Sequence, residues 1–305
     1  MGHAMHKAKA RKSGVSFCAI GCGFLTLLLF SLLPAATLPT QPGANTIVQR
    51  SVEALRSDWQ AEPRYDYLER DVKNHESRTS RVMMILGSPY RRLEAVNGMP
   101  LSPEDQQEEQ RKLNAAVAER CGESTLQTRK RIENYNRGRE RDHFLMSEMT
   151  KALVFNVLDE TTINGRNAWH LQASPKPGYT PPNREAKVLT GMKGELWIDK
   201  STFEWIQVVA QVIHPVSIEG FLARVEPGTR FKLVRTPVAG GPWFPIQFSD
   251  ESKVRVLSFF GRNGGDDETY SDYQTADSAS IPACPGGVSG KDVPGKDMRS
   301  KNAAH

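Results

Sequence analysis

The chain has 305 residues, 38% of them hydrophobic and 25% charged, values ordinary for a globular protein with a sizeable core in one or two domains. The net charge of +5 looks basic, but Lys7, Lys9, Arg11 and Lys12 stand in a head that has no acidic residue, and removing that head leaves roughly +1. A nucleic-acid-binding domain keeps its basic excess in the folded body, so that class is set aside.

After the basic head comes the uncharged run Val15 to Leu33, VSFCAIGCGFLTLLLFSLL. It is longer than an ordinary signal-peptide core and close to the roughly 20 residues that span a bilayer. Residues 1–37 therefore read as a signal peptide or an N-terminal anchor in the inner membrane through residues 15–33, and both outcomes stay open. Either way the rest of the chain is exported, to the periplasm or cell envelope. Ala19-Ile20-Gly21-Cys22 is a poor lipidation site, because most of the apolar run follows the cysteine. Residues 38–45, rich in Pro and Gly, read as a linker.

The folded domain is expected over residues 46–275. Val48, Val52, Leu55 and Trp59 recur at helical spacing, and Pro63 stops that helix. Strands are expected from Tyr65, over 79–86 and over 90–96, with Asn97-Gly98 as a turn. Ser102-Pro103-Glu104-Asp105 starts a second helix, which ends near Gly122. The stretch 124–142 mixes Arg129, Lys130, Arg131, Arg137, Arg139 and Arg141 with acids, and reads as a solvated helix face more readily than as an anion-binding patch. The helix continues through Phe144 to Leu153.

The second half reads as strands. Asn164-Gly165 joins two of them, over 155–162 and 166–173. The Pro-rich loop 174–183, containing Tyr179, reads as a spacer or as a flap. Gly194 to Ile213 is a hairpin about Asp199-Lys200-Ser201-Thr202. Its return strand is apolar on both faces: Ile206, Val208, Ala210 and Val212 on one, Phe203, Trp205, Val209 and Ile213 on the other. That pattern asks for helices against one face and an apolar hollow against the other. Further strands are expected over 221–225 and 229–234, then over 243–249 and 253–260 about a turn at Asp250, then over 267–273. Residues 276–305 read as a disordered tail.

Four segments together resemble the outer-membrane lipoprotein-sorting superfamily: Tyr65-Asp66-Tyr67, the strand from Tyr90 to Asn97-Gly98, Ile163-Asn164-Gly165-Arg166-Asn167-Ala168-Trp169-His170-Leu171, and Gly194-Glu195-Leu196-Trp197-Ile198-Asp199. The resemblance covers roughly Ile47 to Tyr273 and rests on the order of elements. It implies an α+β fold, a strongly curved antiparallel sheet forming an incomplete β-barrel, with helices lidding the concave face. The segment 124–142 and the loop 174–183 depart from a standard carrier.

Chemistry is sparse. His75, His143, His170 and His214 are scattered, with no HExxH and no Cys/His ligand spacing, so no metal or cofactor is expected. Gly287-Val288-Ser289-Gly290 has the wrong spacing for a nucleophile elbow. Asp266-Asp267-Glu268 after Gly264-Gly265 reads as a polar hairpin turn. An oxidising compartment permits a disulfide between Cys121 and Cys284, with two unpaired thiols equally open. The expectation is a non-enzymatic protein that binds a lipid or acylated protein in an apolar cavity; the alternative is an anchored envelope sensor or scaffold with a protein partner. Trp169, Trp197, Phe203, Trp205, Val209, Phe231, Trp243 and Phe248 are the candidates to line the cavity.

Overall fold

The structure, a computed structural model, describes residues 41–73, 75–217, 223–239, 241–256, 260–276 and 284. Residues 1–37, read above as a signal peptide or anchor, and most of residues 276–305 lie outside them. No described helix is long and apolar enough to cross a membrane.

Helix α1 (Ala44–Ala61) buries Ile47, Val48, Ser51, Leu55 and Asp58 along one stripe, the 3.6-residue period made physical. A 3-10 turn through Pro63 leads into β1 (Tyr65–Lys73), β2 (Glu76–Ile85), β3 (Ser88–Val96) and the two-residue β4 (Met99–Pro100). Helix α2 (Pro103–Cys121) starts as expected: the Ser102 side chain accepts the Asp105 N–H at 3.1 Å, with Pro103 first and two acids in the opening turn. Helix α3 (Thr125–Ala152) is closed at its start by a capping box between Ser124 and Gln127. Its 28 residues make a rod about 42 Å long.

Then come β5 (Leu153–Ile163), β6 (Arg166–Pro175), β7 (Met192–Asp199), β8 (Trp205–Val212), the short β9 (Val216–Ser217) and β10 (Ala223–Val225), β11 (Arg230–Pro237), β12 (Trp243–Val256) and β13 (Phe260–Thr275). Asn97 and Gly98, and Asn164 and Gly165, all take positive φ, as tight hairpin turns require. The turn at Leu86-Gly87 does the same without an Asn to announce it.

All pairing is antiparallel, in the order β4-β3-β2-β1-β13-β12-β11-β8-β7-β6-β5, with β10 beside β12 and β9 beside β10. The sheet is curved and open, and the fold is α+β. Its key join is between β1 and β13, the first long strand and the last. Two expectations are corrected here. Asp250 does not turn the chain: β12 runs straight through it, Asp250 opposite Asp266. Gly264-Gly265 is likewise in strand, opposite Ser252 and Glu251. The polar run 249–252 reflects a solvated stretch of a long hairpin, and polarity alone does not separate that from a turn.

Helices α1 and α3 cover one face of β5–β8. Ile47, Val48 and Leu55 of α1 share a buried cluster with Phe155, Leu171, Leu196 and Ile198, and Met146 and Met149 of α3 pack against it. Helix α2 makes a second cluster, Leu113 and Val117 against Met83 and Ile85. Val82, paired with Tyr67, points to the opposite face of β2 from Met83.

Gly194 on β7 marks a close approach of two backbones in the sheet. A Cβ there would stand 2.8 Å from the Val209 carbonyl oxygen, a backbone atom with no freedom to move aside. Gly194→Ala is expected to destabilise the domain by about 1–3 kcal/mol. Urea denaturation checks this: the midpoint falls with the slope unchanged, and an unmoved midpoint contradicts the spacing.

Candidate functional site

One cross-strand row organises the inner face, the one under α1 and α3. Leu171, Leu196, Val208, Leu233 and Phe248 lie directly opposite one another across β6, β7, β8, β11 and β12. Leu171 and Leu196 are fully covered, whereas Val208, Leu233 and Phe248 are half-buried. The apolar row thus emerges from beneath the helices. Phe231, opposite Ala210, does the same one row away.

The two-sided pattern of β8 has a cause that its sequence hides. The register slips between Trp197 and Ile198, so Trp205 pairs with Ile198 and shares the face of Val208, despite the odd spacing. Ile206 goes to the other side, with Ala168 and Trp243. The face assignment read from strict alternation is corrected accordingly.

The eight cavity candidates are not brought together. Trp169, Phe203 and Trp205 are plugs in the packed cluster beneath α1. The Trp205 indole N–H donates to Ser51 Oγ of α1 at 3.0 Å. Phe203 holds a positive φ of 64°, and its ring lies between the Arg50 guanidinium, 3.6 Å from the centroid, and the Trp169 ring. The Trp169 indole N–H is buried and finds no acceptor among the described residues. Trp197 lies on the outer face, stacked on His170 at 4.4 Å, with the His170 ring 3.2 Å from Glu195. Val209 is also outer, in a depression of about 300 Å³ with Gln172, Glu195 and Gln211. Trp243 fills the small cluster with Ile206. Only Phe231 and Phe248 remain half-open on the inner face.

What the sequence reading missed stands beside them. A chamber of about 150 Å³ is walled by Tyr65, Tyr67, Phe244, Tyr270 and Tyr273, with Glu62 and Pro245. The rings make edge and tilted contacts at 4.9–6.0 Å between centroids. Burial, then the Glu62 charge, pushes the Tyr67 hydroxyl up to about 12. Burial raises Tyr270 and Tyr273 as well, and Tyr270 donates to Glu268, which sits opposite Phe248. Tyr65 and Tyr67 alternate legibly. Tyr270 and Tyr273 do not, because a register shift on β1–β13, with Asp272 at φ 52°, turns both into the chamber.

Helix α3 roofs this part. Burial and the Glu62 charge raise Tyr135 to about 12. Arg139 lies over Trp59 at 4.6 Å and pairs with Glu62 at 3.3 Å, tying α3 to the end of α1. At its other end Arg131 donates to Ser88 Oγ and the Leu86 carbonyl, and Arg120 of α2 donates to the Ile85, Ser88 and Pro89 carbonyls. Of the basic residues in 124–142, Arg131 is therefore engaged with the β2–β3 hairpin and Arg139 with the end of α1, while Arg129 pairs with Glu133 along α3 itself.

Two further features hold the frame. Arg235 of β11 bridges Asp58 of α1 at 2.7 Å and Glu204 at 3.0 Å, all three nearly inaccessible. Cys121 and Cys284 form a disulfide with 5.6 Å between Cα atoms. Among the described residues no group of three His, Cys, Asp or Glu is placed to hold a metal ion.

The chain matches no family model and no curated protein sequence. Among solved structures it is similar to a domain from Vibrio parahaemolyticus assigned to outer-membrane lipoprotein sorting: 9% identity, TM-score 0.33, covering 76% of this chain and 94% of that one. A LolA superfamily protein from Nitrosomonas europaea is similar at 10% identity and TM-score 0.31, with 78% and 95% covered. A chain of the Pseudomonas aeruginosa MucA/MucB complex is similar at 10% identity and TM-score 0.21, with 75% and 99% covered. At these identities the likeness is one of fold alone.

Proposed function

We propose that this is an exported, non-enzymatic binding protein that holds an acyl chain of a lipid or lipoprotein between α3 and the inner face of β11, β12, β13 and β1. Residues 46–275 carry the site, and residues 1–37 are the export signal or anchor. The carrying observation is the chamber of about 150 Å³ with five aromatic walls, continued by half-buried Phe231, Leu233 and Phe248. An amphipathic tyrosine wall takes an apolar chain and leaves its hydroxyls to water or to a head group. The chamber alone is about half the lower bound of roughly 300 Å³ typical of ligand pockets. The chain therefore lies partly along the half-buried row Phe231, Leu233 and Phe248. The Cys121–Cys284 bond supports an oxidising compartment.

The test is binding of 11-(dansylamino)undecanoic acid to the purified full chain, followed by fluorescence. Phe248→Asp, which places a charge in that row, is expected to weaken binding at least tenfold at unchanged melting temperature. A folded wild-type protein that leaves the probe in water removes the reading.

A second reading is an anchored scaffold for a protein partner. It is favoured by β5, an 11-residue strand at the edge of the sheet, with Val154 and Leu158 exposed. N-terminal sequencing of the exported protein separates the two: a retained leader favours the scaffold.

A further inference from the structure

Between β6 and the 3-10 segment Ala186–Gly191 the chain passes through a strap, residues 176–185, with no helix or strand. It contains Pro177, Pro181 and Pro182, and Gly178 at φ 77°. Within this exposed strap Tyr179 is half-buried, its ring packed against the inner-face cluster that holds Phe155, Ala173 and Leu189. Its hydroxyl donates to Glu148 Oε1 at 3.0 Å. Glu148, on α3, is itself 3% exposed, and its other oxygen takes Lys151.

Ala173, Gly194 and Ala210 lie opposite one another across β6, β7 and β8, three consecutive positions with at most a methyl group. Beside the strap opens a shallow, mostly polar cleft of about 670 Å³, between Asn183 and Glu185 on one side and Asn134, Arg137, Glu140, Arg141 and Phe144 of α3 on the other. That volume lies within the range of ligand pockets, roughly 300–1,000 Å³. Met146 and Met149 of α3 pack against the same cluster, and methionine side chains re-pack around a guest at low cost.

We infer that the strap is an autoinhibitory stopper: the Tyr179 ring fills the place of an acyl chain at the β5–β6 end of the inner face, and ligand enters by displacing it through the cleft. This rests on the binding function proposed above. The strap is lightly held. To the rest of the domain it is tied by the Tyr179–Glu148 bond and by the Lys176 N–H donating to the Ala152 carbonyl at 2.8 Å; its other bonds, the Tyr179 N–H to the Lys176 carbonyl, the Ala186 N–H to Asn183, and the Lys187 and Val188 N–H groups to the Arg184 and Glu185 carbonyls, are local. The stacked prolines keep it extended when it lifts, so little ordering is lost or regained on closing.

The arithmetic is that of a masked site: apparent affinity equals intrinsic affinity reduced by the fraction of molecules with the strap open. The hydroxyl's bond to a buried carboxylate favours the closed state, and its removal opens the strap about tenfold more often. With the dansyl-undecanoic acid probe and the full chain, Tyr179→Phe is therefore expected to bind about tenfold tighter than wild type. Tyr179→Ala, which also removes the ring, is expected to bind tighter still and with a faster association rate. Glu148→Gln, which keeps the shape and weakens the acceptor, should move the same way as Tyr179→Phe. If the Tyr179 and Glu148 variants melt like wild type and bind no tighter, the stopper is overturned; should Tyr179→Ala fail to fold, the two conservative variants decide. The two failures are distinguishable. Wild type that binds the probe and loses it on Phe248→Asp, with Tyr179 variants unchanged, keeps the binding function and removes the stopper. No binding by any folded variant removes both.

Discussion

Arg235→Met is expected to cost the domain about 3–5 kcal/mol, because it strands two buried carboxyl groups without their cation. Arg235, Asp58 and Glu204 are each 6% exposed, so water cannot replace the lost partner. The arginine also donates to the Trp243 carbonyl, and Asp58 accepts the Trp243 N–H at 3.1 Å, so the same change loosens the start of β12. Denaturant unfolding measures the loss. A methionine variant within 1 kcal/mol of wild type sinks the argument.

The same cluster sets a pH dependence. Burial is the main force on Glu204; Arg235 opposes it and the nearby Asp58 charge reinforces it, and the outcome is a carboxyl raised from its usual value to about 8. A carboxyl raised in the folded state favours the native protein while it is protonated. Its contribution is complete below the unfolded value near 4.5 and is lost as pH climbs through about 8. Stability from this group therefore falls across the range from about pH 5 to pH 8. Glu204→Gln, permanently neutral, is expected to flatten that slope and to stand above wild type at pH 9. A wild-type stability that rises over the same window contradicts the assignment.

The second large effect concerns the cross-link. Cys121 and Cys284 are 163 residues apart, and closing so long a loop in the unfolded chain is worth about 5 kcal/mol in the chain-entropy account. Replacing both by serine, or reducing them, is expected to lower the unfolding midpoint by a corresponding amount. The bond holds Cys284 to the end of α2, the helix whose Leu113 and Val117 pack on the β2–β3 hairpin. The loss should therefore appear first as faster amide exchange in that hairpin. A reduced protein with wild-type stability would falsify the cross-link's structural role.

Much of the fold was legible because it obeys local rules. The Ser102-Pro103 start, the two Asn-Gly turns and the amphipathic stripe of α1 are each decided within a few residues, and each appears as read. The face of Trp205 was not legible, since alternation holds only until a bulge, and the bulge at Ile206 is set by what β7 offers across the ladder. The tyrosine chamber failed for the same reason: Tyr270 and Tyr273 share a wall only through the irregular pairing of β13 with β1. Six of the eight candidates, all but Phe231 and Phe248, are packed in a cluster or lie on the outer face. Size predicts burial, but it does not say whether a helix or a ligand does the burying.

By itself, then, the sequence determined where α1 and α2 begin and where the two Asn-Gly hairpins turn, because propensity, capping and periodicity act between neighbours. Only the tertiary structure decided that Asp58, Glu204 and Arg235 meet across up to 177 residues, that β13 returns to β1, and that Tyr179 folds back onto the inner face. Those are contacts between distant parts of the chain, fixed by how the faces of the sheet are covered, and no short-range pattern encodes them.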